Sequence, residues 1–151
     1  EFGTGASLGS LIAAIKDDVK FVIGLDLVPY ADNFKLNKKI LDEIIPPKKH
    51  PDLNNKISLE IAQISNPKST SKIKYLAPWD KNNLVPSEYI DFIFSHSVLE
   101  HVDQIEHAYS QMYRILKKGG IMSHKIDHSS HKITNSWNGH YKIKDLFVIN
   151  N

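Results

Sequence analysis

The 151 residues include no cysteine, which removes disulfide frameworks and thiolate zinc sites and fits a reducing compartment. They also lack an excess of one charge. The formal net charge is +2, with the lysines spread along the chain, so the basic stripe of a dedicated nucleic-acid binder is missing and no specific nucleic acid is indicated. No apolar run approaches the roughly 20 residues of a membrane helix, and no signal peptide is visible, so a cytoplasmic setting without a membrane span is expected. Internal repeats and low-complexity tracts are absent as well. What is there is ordinary globular material, 41% hydrophobic and 24% charged, enough for one core but not two. A single domain over 1–151 is expected.

The order of patterns carries more information than the totals. "EFGTGASLGS" opens on glycines at 3, 5 and 9, which permit a sharp turn and close backbone approach to a ligand, and helical spacing follows over Ala6–Asp17. "VKFVIGLDL" (Val19–Leu27) reads as a parallel strand buried on both faces. Asn33–Ile45 reads as a helix stopped by Pro46 and Pro47. From Asp52 to Ser71 the pattern is poor, with "LEIAQI" a candidate short helix. "KIKYLAPWD" (Lys72–Asp80) and "YIDFIFSHS" (Tyr89–Ser97) are strands, Gln104–Leu116 is a helix, "KKGG" supplies a glycine stop, and "GIMSHKID" is the next strand. Such alternation predicts an α/β fold, a mostly parallel sheet with helices on both faces and a ligand at the carboxyl ends of its strands.

Asp26 and Asp80 fall at predicted strand ends, and Asp26 follows the glycine turn by about 20 positions, the placement that lets a carboxylate accept both hydroxyls of a ribose. Each also has a plain reading as a strand-end turn residue. Base candidates are His96, Glu100 and His101 in "SHSVLEHV" and His124, Asp127, His128 and His131 in "SHKIDHSSH". The later set is dense enough to suggest a metal. Strand alternation would send His124 and His128 to one face and Asp127 and His131 to the other, so no metal ligand is assigned. Trp137 and Tyr141 read as core or lid aromatics, with core the default.

Taken together, "EFGTG", "GLDL", "YLAPWD", "IDFIFSHSVLEHV" and "MYRILKKGGIMSH" resemble, in order and approximate spacing, the class I S-adenosylmethionine-dependent methyltransferases, close to the type 11 methyltransferase group. The resemblance runs from residue 1 to about 127. It implies a Rossmann-like three-layer sandwich with strand order 3-2-1-4-5-7-6, S-adenosyl-L-methionine as cofactor, and a small-molecule, lipid or glycan-precursor acceptor. By the same resemblance Glu1, Gly3 and Gly5 form the first cofactor motif, with Glu1 near the ammonium group. Asp26 binds the ribose, Leu27 lies beside the adenine, and Asp80 accepts from the adenine amino group. Ser95 and His96 line the methionine region, and His101 is the residue assigned to catalysis, its alternative being a helix-entry role. Glu1 would stand at the end of a first strand, so the chain is expected to be an internal fragment lacking that strand and the C-terminal strands, poorly stable and inactive alone. The competing readings are an NAD(P)-dependent Rossmann oxidoreductase, which shares the glycine turn and Asp26, and a non-catalytic Rossmann-like binding domain.

Overall fold

In the computed structural model the described residues are 1–64, 71–79, 84–132 and 134–139. In chain order they form α1 (Gly9–Lys16), β1 (Val22–Leu25), α2 (Phe34–Ile44), α3 (Pro51–Ala62), β2 (Ile73–Leu76), β3 (Ile90–His96), a 3-10 turn (Leu99–His101), α4 (Ile105–Ile115) and β4 (Leu116–Lys125). β1 pairs in parallel with β2, from Val22 opposite Ile73 to Leu25 opposite Leu76, and β3 pairs in parallel with β4. Residues 1–3 join the two pairs. Leu25 N–H donates to Glu1 O at 2.9 Å and Gly3 N–H to Leu25 O at 2.7 Å on one side, while Phe2 N–H donates to Phe94 O at 2.8 Å on the other. The resulting lateral order, β2-β1-(residues 1–3)-β3-β4, agrees with the 3-2-1-4-5 part of the expected sheet.

Successive side chains of a strand point to opposite faces, and β1 divides its residues accordingly. Val22 packs with Leu8, Leu11, Ile12, Leu41, Ile57, Ile61 and Ile73, the core supplied by α1, α2, α3 and β2. Ile23 and Leu25 face the other core, with Phe2, Ile93, Leu99, Ala108, Met112 and Ile115. Helices therefore cover both faces of this part of the sheet, and the fold is a Rossmann-like α/β arrangement. Coverage thins at the far pair, where Phe92 is 52% and Ile121 is 63% exposed. Between β1 and β3, behind the Phe2 rung, lies a cavity of about 470 Å³ bordered by Leu11, Ile23, Ile93 and Phe94.

Three expectations differ from the structure. α3 begins at Pro51, eight residues before "LEIAQI", because a proline at the first helical position loses no hydrogen bond and has its φ already set. "KKGG" lies inside β4, which starts directly at the end of α4; Gly119, at φ 79°, sits where the β3–β4 register shifts. Trp137 is 69% exposed and belongs to no core cluster, while Tyr141 lies outside the described residues.

Two buried asparagines tie the helical layer to the loops. Asn37 is fully buried; its Nδ2 donates to Ala31 O at 2.7 Å and its Oδ1 accepts from Leu8 N–H at 2.9 Å, fixing the entry to α1 against α2. Asn54 Nδ2 donates to Ile45 O at 2.7 Å and to Asp42 Oδ1 at 2.8 Å, satisfying the carbonyl left open at the end of α2. Replacing Asn37 by Ala orphans one buried donor and one buried acceptor. Asn37→Ala is expected to lower stability by about 2–4 kcal/mol, read as an earlier urea midpoint with an unchanged slope.

Candidate functional site

The carboxyl ends of β1 and β3 open onto a pocket of about 380 Å³, bounded by the glycine turn, the loop after β3 and the start of α4. Gly3, Leu25, Asp26 and Leu27 form one wall, and Val98, His101, Asp103 and His107 another, with Phe2 and Trp79 between them. The size falls within the roughly 300–1,000 Å³ typical of small-molecule sites.

Sequence and geometry explain the first wall. Gly3 has φ +78°, and a Cβ there would stand 2.2 Å from Val98 Cγ2 and 2.9 Å from Val98 Cβ, so the turn and the loop after β3 touch only because the side chain is missing. Gly5 has φ +69° with open space on its Cβ side. Its N–H donates to Asp26 Oδ2 at 3.0 Å, and Leu27 N–H donates to Asp26 Oδ1 at 3.0 Å. Each carboxylate oxygen thus accepts one backbone bond and keeps acceptor capacity for a ligand. The aromatic part is layered: Phe2 meets Trp79 edge-on at 4.8 Å, and Trp79 lies 5.9 Å from the His107 ring.

The structure brings Gly3, Asp26, Leu27 and His101 to this one pocket and hydrogen-bonds Gly5 to it. Glu1 lines the neighbouring cavity, where its carboxylate accepts from Ser10 Oγ. Ser95 is buried, 2.8 Å from His124 Nδ1, and His96 is exposed at the end of β3. Asp80 lies outside the described residues. Of the later histidine and aspartate set, His124 packs on Tyr109, Asp127 accepts from Ser129 N–H at 2.8 Å, and the His131 ring lies tilted beside that of His101 with centres 5.1 Å apart. Sequence reasoning passed over Trp79, Asp103 and His107. The signal for His107 was its spacing, since a residue early in α4 faces the same end of the sheet as the turn before it.

A family model described as a methyltransferase domain matches residues 54–123, spanning β2, β3, α4, most of β4 and the second wall of the pocket. No curated protein and no solved structure matches the chain. Over those residues the match bears out the resemblance to the class I methyltransferases of the type 11 group, and the domain supports methyl transfer in general. Proteins of this family normally use S-adenosylmethionine. Among the described residues no helix is long and apolar enough to cross a membrane.

Two outcomes follow. Gly3→Ala meets both a left-handed backbone and the Val98 branch, so it is expected to cost about 2 kcal/mol or more, whereas Gly5→Ala meets only the backbone penalty and should cost about 1 kcal/mol; paired denaturation curves read the difference. His124 has its Nε2 buried without a partner among the described residues, and burial holds its pKa below the ordinary 6.5. The folded state therefore binds fewer protons than the unfolded one, so this contribution to stability is complete above pH 6.5 and is lost as pH falls through the ordinary value. Imidazole NMR should place the His124 midpoint below 6.5; a midpoint at or above it would contradict the burial argument.

Proposed function

We propose that this domain transfers a methyl group from S-adenosyl-L-methionine to an acceptor of the small-molecule, lipid or glycan-precursor class, in the cytoplasm. The observation that carries the reading is the junction of the Gly3–Gly5 turn with the Asp26 carboxylate at one pocket, opposite a wall that falls inside the matched methyltransferase segment. The residues fit the cofactor's chemistry. Asp26 retains acceptor capacity suited to two ribose hydroxyls, Leu27 and Trp79 offer apolar surface for a base, and the glycine backbone permits close approach. Asp26 and Asp103 make the hollow hospitable to positive charge, and they would disfavour a pyrophosphate.

When bound, the cofactor supplies an activated methyl on a sulfonium. The chain's own contribution is to position the acceptor and to keep water out, since an in-line displacement with a reactive donor depends chiefly on geometry. An acceptor hydroxyl or ammonium must also lose a proton, and His101, on the pocket wall, is the residue we assign to that step. Trp79 and Phe2 form the water-excluding side. Ser95 and His96 stand at the end of β3, and Glu1 accepts from Ser10 in the neighbouring cavity.

Calorimetric titration of the chain with S-adenosylhomocysteine and, separately, with NAD tests the reading. Heat is expected from the first alone. Asp26→Asn should weaken that binding by about 10- to 100-fold, the loss of charged hydrogen bonds. Binding of NAD with no heat from S-adenosylhomocysteine would overturn the assignment in favour of an oxidoreductase.

A further inference from the structure

We infer that Glu100, His101 and His131 form a binding site for one divalent transition-metal ion of the zinc type, at the rim of the pocket. The three residues come from two segments, the 3-10 turn after β3 and the loop after β4, so their meeting is a product of the fold and not of a local run. One ligand atom from each lies within 4.8 Å of the other two. The His101 and His131 rings are 5.1 Å apart at 59°, neither stacked nor hydrogen-bonded, an arrangement in which both can turn a nitrogen toward a shared point.

The carboxylate supplies an independent observation. Glu100 Oε1 accepts from Asp127 N–H at 3.2 Å, which fixes the group, while Oε2 is buried and has no hydrogen-bond partner among the described residues. A carboxylate oxygen only accepts, and leaving one buried without a donor or cation is costly enough to be rare. An ion held by this oxygen and two imidazoles removes that cost. In a tetrahedral zinc shell, ligand atoms about 2.0–2.2 Å from the metal stand roughly 3.4 Å apart, so closure needs side-chain shifts of the order of an ångström. Asp127 then acts as the outer partner that orients the ligating carboxylate.

The donor set determines the class of ion. Two imidazoles and one carboxylate suit zinc and its first-row neighbours, whereas calcium and magnesium take oxygen shells. Three protein ligands leave a position open, and one of them, His101, also lines the pocket. With the ion in place His101 serves as its ligand and gives up the proton-accepting role, which belongs to the ion-free chain. This grouping differs from the set considered in sequence, since His124 and His128 are not part of it. It does not depend on the methyl-transfer reading, and its test needs neither cofactor nor acceptor.

The test is titration of the chelator-treated chain with Zn²⁺ by calorimetry and with Co²⁺ by visible absorption, alongside Glu100→Gln, His131→Ala and His128→Ala. One equivalent is expected to bind, with Co²⁺ giving the intense bands of a four-coordinate site. Glu100→Gln and His131→Ala should each weaken binding at least tenfold, while His128→Ala leaves it unchanged. His131 is exposed on a loop, so its variant probes the ligand without disturbing the core; circular dichroism checks that each variant keeps its fold. Absence of saturable binding in the unsubstituted chain, wild-type affinity in a folded Glu100→Gln or His131→Ala variant, or an equal loss in His128→Ala overturns the inference.

Discussion

The hydrogen bonds that residues 1–3 make to both neighbours hold the site together. Without the bonds to Leu25 on one side and Phe94 on the other, β1–β2 and β3–β4 would be two separate parallel pairs, each with an open edge. The rung also carries a side chain into the second core: Phe2 is 2% exposed and packs with Ile23, Leu25, Ile93 and Met112, residues from β1, β3 and α4. Backbone pairing sets the lateral position of the strands and this burial sets their depth. The pocket exists because the rung ends where both strands end and the chain must turn away.

That turn is coupled to the opposite wall by contact. The missing Cβ of Gly3 is the space that Val98 occupies, so the glycine turn and the loop after β3 cannot move independently. Asp26 adds a second restraint, because its two oxygens accept from Gly5 in the glycine turn and from Leu27 directly after it, tying the end of β1 to that turn. A carboxylate held by two backbone donors is oriented before any ligand arrives, which lowers the ordering cost of binding.

The order of elements was legible because most of them obey a single period. Leu11, Ile12 and Ile15 repeat as a helix, and the apolar run of β1 has the composition of a strand covered on both sides. α3 broke the rule in two places: its buried face includes Asn54, a polar residue at a core position, and its opening proline looks in sequence like another stop. The first resolves only when Ile45 O and Asp42 are seen to need the Asn54 amide, and the second when Pro51 is seen to open the helix. For the pocket, Gly3, Asp26 and Leu27 could be found from spacing along one βα unit. Trp79, Asp103 and His107 could not, since their proximity depends on how β2 and α4 are set relative to the rung. Trp137 was misjudged for the opposite reason: size favours burial only where a core is within reach, and the loop after β4 holds it away.

The segment Leu99–His101 shows how one short turn serves three environments. A 3-10 turn places successive side chains about 120° apart, so three consecutive residues face three directions. Leu99 is 5% exposed in the core formed with Phe2 and Met112. Glu100 reaches the loop after β4 and accepts from Asp127, and His101 stands on the pocket wall. The burial of Leu99 fixes the rotation of the turn, and that rotation determines where the other two side chains point. Chemistry at the pocket rim is thereby tied to packing beneath it, and the identity of the core residue matters to the site as much as the identity of the polar pair.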